Sequence, residues 1–141
     1  MDVRVIAMQP LTDAAKQSGQ ELIALLEARG HPIDAAAWIF AIEWEEWRLL
    51  LAFREYQTLG MRKFLTLIHE VHDQQLSPIT TSETYITRPD DYIVKQLRGM
   101  IKRVGITHEN RWVEKLTFRG ITIEKAWLYR LFPTEPPPSA D

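Results

Sequence analysis

The chain contains no cysteine. That excludes disulfides, thiolate metal sites and thiol nucleophiles, and it fits a reducing compartment. Glycine is scarce, six in 141 residues, and dispersed. Neither a phosphate-binding loop nor a Gly-x-Gly-x-x-Gly turn can be assembled from such spacing. No apolar run approaches the roughly 18 residues that a membrane-spanning helix needs. The start, Met1-Asp-Val-Arg-Val-Ile-Ala-Met8, has an early acid and too short an apolar stretch for a secretory signal. These absences predict a soluble cytoplasmic protein with no membrane partner. A single domain accounts for the length, and such a domain can bury a core without staples.

Charge is nearly balanced overall, with 17 Lys and Arg against 19 Asp and Glu, but it is unevenly spread. Residues 1–87 carry a net −5 and residues 88–132 a net +5. The two parts can attract each other within the fold or form opposite patches that steer partners. Four of the eight prolines fall in the last nine residues. The expected organisation is one domain over residues 1–132 and a disordered, proline-rich tail over 133–141.

Within the domain, helix signals come first. Thr12 can cap a helix, Leu22, Ile23, Leu25 and Leu26 supply its apolar face, and Gly30 stops it. A short strand is expected over residues 3–8. Met61, Phe64, Leu65, Ile68 and Val71 follow helical spacing and predict a helix over roughly 59–74. The threonine-rich stretch 77–87 favours a strand, with Pro78 suiting an edge. Pro89-Asp-Asp91 opens a last helix with Ile93, Leu97, Met100, Ile101 and Val104 as its buried stripe, and Gly105 closes it.

Five tryptophans organise the rest. Residues 36–54 are rich in helix formers, yet Glu43, Glu45, Glu46, Arg48 and Arg54 scatter around a helical wheel. A hairpin arranges them better than a helix. It puts Trp38, Phe40 and Ile42 on one face of the first strand. It puts Trp47, Leu49, Leu51 and Phe53 on one face of the second. The exposed turn then holds Glu43, Trp44, Glu45 and Glu46. A second hairpin turns at Arg119-Gly120. Pairing positions whose numbers sum to 239 sets Phe118 against Ile121, Leu116 against Ile123, Lys115 against Glu124, Glu114 against Lys125 and Trp112 against Trp127. A one-residue slip would lose all of these pairs. The predicted class is α+β, a mostly antiparallel sheet with about three helices packed mainly on one face, in the order (β)αββαβαββ.

Candidate chemistry is thin. His69 and His72 are three apart rather than the four that stack two imidazoles for zinc. His69 and Asp73 can share an ion, but a third ligand is not in sight, so no metal site or cofactor is expected. Arg88-Pro-Asp-Asp91 is similar to the Pro-Asp of restriction-type nucleases, yet the acid-x-Lys that should follow is absent. No serine sits in a Gly-x-Ser-x-Gly elbow, and no catalytic residue is assigned. A basic stripe, Lys95, Arg98 and Lys102 with Arg88 and Arg103 beside it, could track the phosphates of a nucleic acid.

Ala36-Ala-Trp-Ile-Phe40, Trp47-Arg-Leu-Leu-Leu-Ala52, Arg88-Pro-Asp-Asp91 and Ile121-Thr-Ile-Glu-Lys-Ala-Trp-Leu-Tyr-Arg-Leu131 together resemble a group of small bacterial proteins with no assigned activity. The resemblance covers most of residues 20–131 and implies no catalytic residue. The reading that follows is a non-catalytic, self-associating or protein-binding module that forms a homodimer through an edge strand. Glu43, Trp44, Glu45 and Glu46 are candidate interface residues. Nucleic-acid binding through residues 90–104 is the alternative, and an unrecognised hydrolase or nuclease a further one.

Overall fold

A computed structural model describes residues 9–104 and 111–131. The strand expected at 3–8, Gly105 and the tail 133–141 lie outside the described residues. Helix α1 (Asp13–Ala28) is followed by strands β1 (Ile33–Ala41) and β2 (Glu46–Phe53). A single turn, α2 (Tyr56–Leu59), precedes α3 (Met61–Asp73). Strand β3 (Thr84–Thr87), helix α4 (Tyr92–Val104) and strands β4 (Arg111–Phe118) and β5 (Ile121–Arg130) complete the order. The five strands form one sheet in the order β3-β2-β1-β5-β4. Three pairings are antiparallel and β3 joins β2 in parallel, so this α+β sheet is mixed.

Every residue of β1 is buried. Its neighbours supply the reason. Ile33, Ala36 and Trp38 enter a core built with Leu22, Ile23 and Leu26 of α1 and Phe64, Leu67, Ile68 and Val71 of α3. Ala35, Ala37, Ile39 and Ala41 enter a second core with Ile93, Val94, Leu97 and Ile101 of α4. Helices α1 and α3 thus cover one face of the sheet and α4 the other. A central strand covered on both faces reads as a continuous apolar run rather than an alternating one. This is why residues 36–54 offered no polar face on a helical wheel. The hairpin over this stretch is present, with Trp38 opposite Leu49 and Phe40 opposite Trp47.

Local signals explain the ends of the elements. The Thr12 hydroxyl accepts from Ala15 N–H at 3.0 Å, capping α1. Gly30, at φ +89°, closes α1 by donating to the Glu27 carbonyl while His31 donates to that of Leu26. This doubly bonded stop needs the left-handed residue that glycine supplies cheaply. Met61, expected in the core, is 45% exposed, and Leu67 takes the buried place instead. Phe53 and Phe64 stack at 3.9 Å between centroids and fasten α3 to β2.

Helix α1 packs closely on the sheet at Gly19. Trp38 Nε1 donates to the Ala15 carbonyl at 3.1 Å and the Tyr129 hydroxyl to that of Lys16 at 2.5 Å. Gly19 makes room for both: a Cβ there would lie 2.8 Å from Trp38 Nε1 and would overlap the Tyr129 hydroxyl. Burial raises the Tyr129 phenol well above its ordinary pKa. At the other end of the helix, Arg130 bridges Glu27 at 2.8 Å and the Ile33 carbonyl at 2.7 Å, joining α1, β1 and β5.

Candidate functional site

The ladder of the second hairpin follows the predicted register. Trp112 faces Trp127, Glu114 faces Lys125, Leu116 faces Ile123 and Phe118 faces Ile121. The Glu114 and Lys125 side chains approach to 3.8 Å. One predicted pair drops out: Lys115 and Glu124 are not ladder partners. Lys115 takes φ 53°, a left-handed value. Glu124 is skipped in the pairing of β5 with β1, where the register shifts between Phe40 and Ala41.

This break inverts the side-chain alternation. In a regular strand, residues three apart point to opposite faces. Here Val113, Leu116 and Phe118 all pack toward the α4 core, as do Ile121, Ile123, Ala126 and Leu128 of β5. A bulge changes which face a residue reaches. The apolar positions of the hairpin demand one here, because they change parity between 113 and 116 and between 123 and 126.

The opposite face of β4 carries an aromatic row. Trp112 meets Trp127 edge to face at 5.0 Å, and Trp47 lies 6.2 Å from Trp112 and 5.6 Å from Phe40. Trp47 Nε1 donates to the Gln9 carbonyl at 2.6 Å. Lys16 of α1 lies over both Trp112 and Trp127, at 4.6 and 4.3 Å, and Lys125 lies 4.2 Å from the Trp112 ring. Such cation–aromatic contacts contribute about 0.5–1 kcal/mol each at exposed sites. They hold Trp112 half-buried at the outermost strand, where it cannot collapse into the core.

Both margins of the sheet are strands without a further described neighbour. The two differ in kind. Strand β3 has four residues, which is how proteins blunt a sheet edge. Strand β4 has eight.

The acidic turn is tied down instead of free. Glu43 Oε1 accepts from Thr122 N–H at 2.6 Å, and this bond is the largest cause holding its carboxyl below the usual range. Glu46 bonds Arg48 at 2.9 Å. Glu45 adopts φ 57° and supplies the left-handed turn position for which neither glycine nor asparagine is present. Trp44, expected in the exposed turn, stacks on Tyr85 at 5.2 Å and borders the α4 core, with Arg48 also 5.2 Å from its ring.

The basic stripe also changes in the structure. Arg98 turns inward, donating to the Pro89 carbonyl at 3.0 Å and to that of Leu131, and burial lowers its pKa. It therefore belts the start of α4 to the end of β5 and is not part of an exposed row. Arg88 pairs with Asp90 at 3.0 Å, and Lys95 is exposed. Lys102 and Arg103 belong to α4, but their side chains lie outside the described residues.

Asp73 lies 3.4 Å from His69, both side chains about two-thirds exposed, beside an open hollow that includes Ser82. That pair is solvated. Among the described residues, no three His, Asp or Glu side chains gather closely enough to hold a metal ion. No helix among them is long and apolar enough to cross a membrane. Compared with protein-family models, with curated proteins and with solved structures, the chain matches none.

Proposed function

We propose that this chain is a non-catalytic interaction module that associates with a second copy of itself through the sheet edge that is open among the described residues. The observation that supports it is strand β4: eight residues at the sheet margin, backed by the half-buried Trp112. An unpaired strand edge presents a row of backbone donors and acceptors to another chain. Tryptophan and arginine are the residues that most often anchor interfaces, and β4 begins Arg111-Trp112. Sedimentation across a wide concentration range tests this reading. A mass that rises toward twice that of the chain supports it, and a sharp monomer throughout removes it.

A further inference from the structure

The edge of β4 is self-complementary in one register, and the bulge at Lys115 is what makes that register workable. We infer that two copies pair their β4 strands antiparallel, with position numbers summing to 229, to give one continuous ten-stranded sheet. This rests on the self-association proposed above and names its surface and geometry.

Three observations converge. The first is charge. A two-fold axis between residues 114 and 115 sets Glu114 of each copy against Lys115 of the other, so two opposite-charge pairs form at the centre. Both residues are exposed. Edge charges usually repel a passing strand; here a second copy brings the matching ones.

The second is the facing of side chains. Opposed residues in an antiparallel pair point to the same face. A sum of 229 pairs odd with even positions, which a regular strand would send to opposite faces. The inverted alternation at Lys115 removes the conflict. Val113 meets the second copy's Leu116, and both belong to the α4 face. Arg111 meets the second copy's Phe118, which is also on that face.

The third is burial. Trp112, Leu116 and Phe118 are only partly buried in the single chain. In this register Trp112 packs beside the second copy's Thr117 on the α1 side. Leu116 gains Val113 of the second copy on the α4 side.

The test is a charge exchange in the full chain. Lys115→Glu sets two acids against two acids at the axis, and Glu114→Lys sets two lysines against two lysines. Each variant alone should weaken self-association by about tenfold or more, as expected from turning two attractive cross-strand pairs repulsive. Mixing the two variants should restore it, because the mixed pair again opposes acid with lysine at both positions. Circular dichroism of each variant checks its fold. If Glu114→Lys unfolds because it faces Lys125, adding Lys125→Glu restores the pair within the hairpin. Recovery of a dimer only on mixing supports the register. A wild type that dimerises with an affinity neither variant changes overturns the register and leaves self-association standing. A wild type that stays monomeric overturns both.

Discussion

Val113 and Leu116 reach the same core although they are three residues apart on one strand. The relationship requires a break in the strand's alternation between them, and Lys115, at the left-handed φ of 53°, marks where it falls. A non-glycine residue pays a local strain for that conformation, and a β-branched residue pays more. Lys115→Val should therefore destabilise the chain by about 1–2 kcal/mol, whereas Lys115→Gly should leave it as stable or slightly more so. Urea unfolding of the two variants at low protein concentration separates them. Equal stability for valine and glycine would mean the strand is regular at this point.

Gly19 carries the contact between α1 and the sheet. Alanine there gains about 1 kcal/mol of helix propensity, but its methyl would overlap the Tyr129 hydroxyl and crowd Trp38. Overpacking of this kind costs about 1–3 kcal/mol, so Gly19→Ala should lower stability on balance. A stabilised Gly19→Ala variant in thermal unfolding would show that α1 rides higher than described.

Arg98 should behave as a structural belt. Its guanidinium joins the carbonyls of Pro89 and Leu131 from within a partly buried setting. Hydrogen bonds from a charged donor contribute about 1.5–3 kcal/mol. Arg98→Met should destabilise by a similar amount and loosen the start of α4, read as faster hydrogen exchange at residues 92–96. An Arg98→Met variant of unchanged stability would return this side chain to the solvent-facing stripe.

Alkaline unfolding should report on Tyr85. Its phenol is pushed up to about 12, first by burial and then by the Asp91 carboxylate, which accepts its hydrogen bond at 3.2 Å. An unfolded tyrosine ionises near pH 10. The folded state favours the neutral phenol, so its contribution is complete below about pH 10 and is lost as pH rises from there toward 12. Tyr85→Phe should flatten the stability profile across that window. Identical alkaline slopes for the variant and wild type would contradict the assignment.

Much of this architecture was legible before the structure. The second hairpin announced its register because tryptophans, opposite charges and apolar residues agree on one axis of symmetry. The first hairpin was legible once the charges failed to form a helical face. Strand β3 was legible as a strand but its parallel pairing was not, since that depends on a crossover through α3 and no local signal encodes it. The bulge left a trace that period-two reasoning passed over: Val113, Leu116 and Phe118 cannot share a face in a regular strand. Trp44 was placed in the right turn and Arg98 on the right helix, but what they touch was not legible. Their partners, Tyr85, Pro89 and Leu131, either lie far along the chain or are backbone carbonyls, and side-chain pattern does not reveal either. The acidic turn was located correctly, but its Glu43 is engaged by a β5 amide 79 residues away.

The most direct test of the account is residue-resolved hydrogen exchange at two or more protein concentrations. Pairing of β4 with a second copy predicts that outward-facing amides within Arg111–Phe118 gain protection as concentration rises, while those of the short β3 edge do not. Exchange along β4 that is independent of concentration, up to the highest the protein tolerates, would contradict the claim that this edge is where the chain makes its contact.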